Sequence, residues 1–97
     1  MRREDFIFTI GYDGDTAIID GKAKRRYGKL TTAQLAEAGL FKPAFCSALF
    51  AGNEHEMQLV LEAYNKGEET PYAKVADLKR LFGVFDVPET ITKVKVL

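Results

Sequence analysis

The two side chains best suited to nucleophilic or metal chemistry, Cys46 and His55, are each the only residue of their type in the chain. Cys46 lies within Pro43 to Gly52, Pro-Ala-Phe-Cys-Ser-Ala-Leu-Phe-Ala-Gly, where Ser47 is the sole polar side chain between the two boundary residues. A thiol in apolar surroundings behaves as a small hydrophobe, and its reactive thiolate is disfavoured. His55 stands between Glu54 and Glu56, where a helical pattern begins. One Cys and one His do not make the spacing of a zinc site. Asp13-Gly14-Asp15 opens in the manner of a calcium loop, but the fifth and twelfth positions, which need oxygen ligands, are Ala17 and Lys24. No catalytic residue, metal site or cofactor is nominated, and enzymatic activity is not expected.

Two groups of residues point instead to binding. Lys22, Lys24, Arg25, Arg26 and Lys29 surround Tyr27. Cations of this density attract phosphates, and an aromatic ring among them offers a base a surface to stack on. Asp13, Asp15 and Asp20 lie close in sequence and oppose that attraction. Leu40, Phe41, Phe85 and Val87 form the second group, because they fall in connectors and are more hydrophobic than connectors require. Exposed apolar clusters mark interfaces. The leading expectation is a non-catalytic protein-interaction or regulatory module, with a partner protein or a second copy of the chain as ligand. A nucleic-acid-binding accessory protein using Lys22 to Lys29 is the alternative.

The elements that must hold these groups follow from periodicity and boundary signals. Phe6 to Ile10 is β-branched and aromatic and predicts a strand with Phe6, Phe8 and Ile10 on one face. Asp13-Gly14-Asp15 predicts a tight turn and Thr16 to Asp20 the returning strand. Residues 22–29 lack apolar periodicity and read as a loop that has room for a short extra strand. Thr31 with Gln34 matches a capping box, and Gly39 a helix stop. Pro43 and Gly52 bracket a second helix, apolar on every side, which the remaining chain or a partner must enclose. Pro43 is expected to push Lys42 out of helical geometry.

Asn53 with Glu56 forms a second capping pattern before Met57, Val60, Leu61 and Tyr64, whose spacing defines one helix face ending at Gly67. Thr70-Pro71 predicts the start of a fourth helix, with Val75, Leu78 and Phe82 inward and Gly83 as its stop. Residues 90–97 alternate as a half-buried strand, with Thr92, Val94 and Val96 on one face and lysines on the other. The whole is a single α+β domain of order β-β-α-α-α-α-β, a three-stranded sheet with helices packed on one face. The strand paired with the C-terminal segment, and its direction, stay open.

Two short stretches have relatives in known folds. Ile10-Gly11-Tyr12-Asp13-Gly14-Asp15-Thr16 resembles the phosphate hairpin of the actin and heat-shock-protein ATPase fold, which needs two large domains and further phosphate loops beyond 97 residues. Ala48 to Glu54, followed by Met57, Val60, Leu61 and Glu62, resembles the helix–turn–helix core of an ankyrin repeat, and Thr70-Pro71 the dipeptide that opens one. The 28 residues between Pro43 and Pro71 fall short of that family's period of about 33, and a hairpin has no place in such a stack.

Composition sets the remaining bounds. An apolar fraction of 46% supplies a core without a disulfide or metal staple, and a lone cysteine suits a reducing cytoplasmic setting. The apolar run after Met1-Arg2-Arg3-Glu4-Asp5 is too short for a signal-peptide core, and no run approaches the roughly 20 residues of a membrane helix. A cytoplasmic protein with no membrane partner is therefore expected. Net charge is zero but uneven: residues 1–30 hold seven Lys/Arg against five Asp/Glu, residues 31–71 two against six, and residues 72–97 five against three.

Overall fold

A hairpin forms where the turn signal places it. In the computed structural model, which describes residues 1–97, β1 (Thr9–Asp13) and β2 (Thr16–Ile19) pair antiparallel across the two-residue loop Gly14-Asp15. Gly14 takes φ 59°, a backbone conformation that suits glycine and matches the twist of the flanking strands. The third strand, β3 (Lys93–Val96), lies parallel to β2, so β2 is central in a mixed sheet ordered β1-β2-β3. Asp15 fixes where β3 begins. Its carbonyl accepts from the Thr92 and Lys93 N–H groups at 2.9 and 3.2 Å, and its carboxylate accepts from the Thr92 hydroxyl at 3.2 Å.

The α+β class and the sheet with helices packed against it hold. The helices number six, however, because two segments read otherwise in the sequence are helical. Residues 6–8 belong not to a strand but to α1 (Arg3–Ile7) and its C-cap Phe8. Glu4 and Asp5 sit in its first turn, where a helix dipole favours acids. Asp5, Phe6, Ile7 and Phe8 are all buried, whereas a half-covered strand would bury every second residue. The Phe6 ring lies 6.0 Å from that of Phe50. Tertiary burial on all sides overrides the strand propensity of this run.

Residues 22–29 are likewise not a loop. They fall largely within α2 (Gly21–Tyr27), whose N-cap Asp20 accepts from the Ala23 N–H at 3.1 Å. Only Ala23 and Tyr27, one turn apart, are needed as its apolar face, too few to register as a period. A Cβ on Gly21 would run into the Leu97 carbonyl oxygen and the Val96 side chain, so the end of β3 lies against the start of this helix.

α3 (Thr32–Glu37) carries the predicted capping box, the Thr31 hydroxyl accepting from the Gln34 N–H at 3.2 Å and the Gln34 amide oxygen from the Thr31 N–H at 2.9 Å. α4 (Phe41–Ala51) starts two residues before Pro43, so Lys42 is helical after all. A proline in the first turn removes an N–H that has no intrahelical acceptor in any case. Ala44 to Ala48 are five consecutive buried residues, which fits a helix wrapped on all sides. Leu49 and Phe50 are half-buried and Ala51 is exposed, so the last turn emerges before Gly52 ends the helix at φ 64°.

α5 (Glu54–Glu68) buries Met57, Val60 and Leu61 and exposes Glu54, Gln58, Glu62 and Lys66, as its periodicity requires. Asn53 accepts from the Glu56 N–H at 3.1 Å, which is half of the predicted capping pattern. The helix passes through Gly67, and Glu69 takes the left-handed turn at φ 55°. Thr70-Pro71 does not open the next helix. The Thr70 hydroxyl and the Tyr72 N–H both donate to the Asn65 amide oxygen, and the Asn65 amide nitrogen donates to the Tyr72 carbonyl at 2.7 Å. With 70–72 tied back to α5, α6 starts later, at Val75–Phe82, capped by Asp77 accepting from the Lys74 N–H.

One cluster of 15 buried apolar residues forms the core, with Phe45, Ile19, Leu35, Leu61, Leu78 and Val60 fully enclosed. An aromatic chain borders it, Phe41 to Tyr64 at 5.2 Å, Tyr64 to Phe82 at 5.7 Å and Phe82 to Phe45 at 5.9 Å. The one polar residue of the central helix, Ser47, accepts from Arg3 Nε and Nη2 at 3.2 and 2.9 Å and shares a 2.8 Å hydrogen bond with the Thr32 hydroxyl.

β3 is where coverage departs from the sequence reading. Val94 and Val96 stand beside Ala17 and Ile19 in register, yet all four β3 residues are exposed rather than half-buried. The helical layer ends over β2.

Chemical denaturation of Phe45→Ala should show a loss of roughly 3–5 kcal/mol from cavity formation. Phe50→Ala, at the emerging end of α4, should lose only about 1–2 kcal/mol. Ser47→Ala should cost about 1–3 kcal/mol, because Arg3 Nε and the Thr32 hydroxyl each lose their hydrogen-bond partner.

Candidate functional site

The β1 edge of the sheet faces the first turns of α4 across a furrow. The strand reaches this position because α1 is held against α4, and the chain leaves α1 through Phe8 directly into β1. Between Thr9 and Gly11 the register with β2 shifts, so Ile10 is an inserted residue with no cross-strand partner. Such a bulge bends the strand and redirects the side chain. Ile10 is accordingly 62% exposed and Tyr12 48%.

The furrow has two lobes that share Thr9, Ile10 and Lys42. The first, of about 250 Å³, runs from β1 past Lys42 and Cys46 to the connector after α6, where Phe85 is 53% exposed. The second, of about 320 Å³, is bordered by Leu40 and Pro43 on one side and by Ala23 and Tyr27 of α2 on the other. Asp86 lines the first lobe and Asp20 the second. Lys42, between them, is exposed and has no ion-pair partner; the chain's two ion pairs are Lys24 with Asp5 and Arg80 with Asp77.

Of the four connector residues singled out by hydrophobicity, Leu40 and Phe85 border this furrow at opposite ends. Phe41 and Val87 do not: Phe41 packs edge-on against Tyr64, and Val87 is half-buried against the core. Ile10, Tyr12 and Lys42 were missed. The alternating pattern puts Ile10 on one strand face with Phe6 and Phe8, and the bulge that turns it outward leaves no mark in such a pattern.

The basic stretch is arranged by α2. Lys22, Arg25 and Arg26 are exposed, and their spacing of three and four residues puts them on one side of the helix; Lys29, also exposed, follows in the turn past Gly28. Lys24 is turned the other way, its Nζ 2.6 Å from the buried Asp5 carboxylate. Tyr27 also turns inward, half-buried against the core, with the Arg26 guanidinium 5.3 Å from the ring centre. The six residues named for nucleic-acid contact therefore divide into four that face outward and two that serve the fold.

Cys46 lies in the wall of the first lobe but is buried, and His55 is exposed at the start of α5. Burial pushes the Cys46 thiol from the ordinary value of 9.0 up to about 11, against the smaller opposing pull of Lys42. Partial burial also raises the Tyr12 phenol. No helix is long and apolar enough to cross a membrane. No family model, curated protein or solved structure matches the chain.

At pH 8 the Cys46 thiol should alkylate on the order of 100-fold more slowly than a free cysteine and accelerate as pH approaches 11. The folded state favours the protonated thiol, so this group's contribution to stability is intact below pH 9 and falls between pH 9 and about 11. Alkylation at the free-thiol rate at pH 8 would contradict the enclosed geometry.

Proposed function

We propose that the protein is a non-catalytic interaction module that holds an extended segment of a partner protein in the furrow between β1 and α4. The observation that carries this reading is the gathering of Ile10, Tyr12 and Phe85, three large side chains about half exposed or more, around one groove. Exposed clusters of this kind mark contact sites.

The size of the furrow argues for a peptide. Each lobe, at about 250 and 320 Å³, is at or below the small end of ligand pockets, so neither encloses a cofactor. Two adjoining lobes suit two side chains of one strand. Charge selects among peptides: unpaired Lys42 at the junction favours an acidic residue there, and Asp86 and Asp20 disfavour acids in either lobe. The occupant is thus an acidic residue flanked by two large apolar ones.

Self-association along β1 fits less well. The bulge at Ile10 interrupts the regular edge that pairing of two copies would use. On the opposite edge, Lys93 and Lys95 of β3 oppose strand addition in the same way.

Selection from a random peptide library should enrich the apolar–acidic–apolar pattern, and binding should be read by NMR shifts at Ile10, Tyr12 and Phe85. Phe85→Ser should weaken the selected peptides at least tenfold, and Lys42→Glu should reverse the preference at the central position. Peptides that bind both variants unchanged would remove the furrow from consideration. Concentration-dependent dimerisation abolished by Phe85→Ser would replace the foreign segment with a second copy.

A further inference from the structure

We infer that Lys22, Arg25 and Arg26 on the outer face of α2, with Lys29 in the turn that follows it, bind the phosphate backbone of nucleic acid without reading its bases. This surface adjoins the side of α2 that borders the furrow: Lys22 and Arg26 share a shallow hollow with Asp20, Ala23 and Tyr27, while Arg25 and Lys29 line neither lobe. All four cations are exposed and none is in an ion pair, while Asp5 is engaged by Lys24 on the opposite side. Asp20, the acid next in line, caps the helix by accepting the Ala23 N–H.

Lys22 to Arg26 span about 6 Å along α2, and Lys29 follows in the turn past the C-cap Gly28. A row of this length spans neighbouring phosphates of one strand. Its composition excludes other polyanions. A helix that lies on a lipid surface inserts an apolar face, and the apolar residues of α2 are packed inward. A protein interface needs buried aromatic or aliphatic anchors at its centre, and this stripe has none. Base stacking is disfavoured as well, because Tyr27 is half-buried against the core and the Arg26 guanidinium lies 5.3 Å from its ring centre. What remains is a row of cations with nothing to read sequence.

The test is titration of fluorescent single-stranded and duplex oligonucleotides of mixed sequence at several salt concentrations. Four phosphate contacts give a slope of log affinity against log salt between about −3 for a single strand and about −4 for a duplex. Between 50 and 200 mM salt, affinity should therefore fall roughly 50- to 150-fold. Arg25→Gln with Arg26→Gln should flatten the slope by about 1.5, and the corresponding glutamate pair should abolish binding while circular dichroism stays unchanged. Tyr27→Leu should leave affinity within about twofold in a variant that remains folded, and Lys66→Glu, on α5, should have no effect.

Absence of binding at 50 mM salt would overturn the inference, as would equal loss with Lys66→Glu, which would indicate net charge alone. Comparable binding to phosphatidylserine vesicles would reassign the face to a lipid surface. Strong preference for one base sequence would contradict backbone-only contact. Peptide binding in the furrow should persist in the Arg25/Arg26 variants, so failure of either reading leaves the other standing.

Discussion

The fold depends on how one buried polar demand is met. α4 is the hub of the helical layer, and five of its consecutive residues are enclosed. Ser47 sits among them, and a hydroxyl so placed must find partners. It finds Arg3 and Thr32. The same guanidinium closes the Gly28 carbonyl at 3.0 Å through Nη1 and the Leu30 carbonyl at 2.5 Å through Nη2. No carboxylate neutralises Arg3; two carbonyl dipoles from the α2–α3 link and the Ser47 hydroxyl do. One side chain thus locks α1 to α4 and to the link between α2 and α3. The position of β1, and with it the width of the furrow, follows from where α1 is held.

Local rules were legible wherever a residue's own side chain closes its own backbone. Thr31 with Gln34, Asn53 before Glu56, and Gly52 and Gly83 after their helices all behave as their chemistry dictates. The α5 stripe was legible because it is long and half-covered. Failures came where burial is either complete or minimal. Residues 5–8 are covered on every side, so their apolar run carries no period, and strand propensity gave the wrong element. α2 needs only Ala23 and Tyr27, so its period was too sparse to detect. Asn65 reaching forward to Thr70 and Tyr72 delays α6, a contact between positions that propensity treats as independent.

The candidate surfaces were legible in part for the same reasons. Lys22 to Lys29 were visible as a charge cluster, but their division into an outer stripe and an inner pair exists only once α2 is helical. Lys24 and Tyr27 look like ligand-binding residues in sequence and serve the fold in space. Leu40 and Phe85 stood out as hydrophobic connector residues, and they do border the furrow. Phe41 carried the same signal and is instead spent on Tyr64. Hydrophobicity in a connector shows that a side chain must be covered; it does not say by what.

The all-exposed C-terminal strand has a further consequence. β3 pairs with β2 in parallel, is fastened at its start by Asp15 and meets the start of α2 at its end. It contributes no residue to the buried core, whereas its neighbours Ala17 and Ile19 on β2 are fully buried. β3 is therefore a shutter over the edge of β2 rather than a structural strand. Release of β3 would break its hydrogen bonds to β2, among them the Leu97 N–H to the Ile19 carbonyl at 3.0 Å, and would uncover Ala17 and Ile19. It would also remove the carbonyl and side chain that crowd Gly21, so exposure of the β2 edge and of the start of α2 is linked.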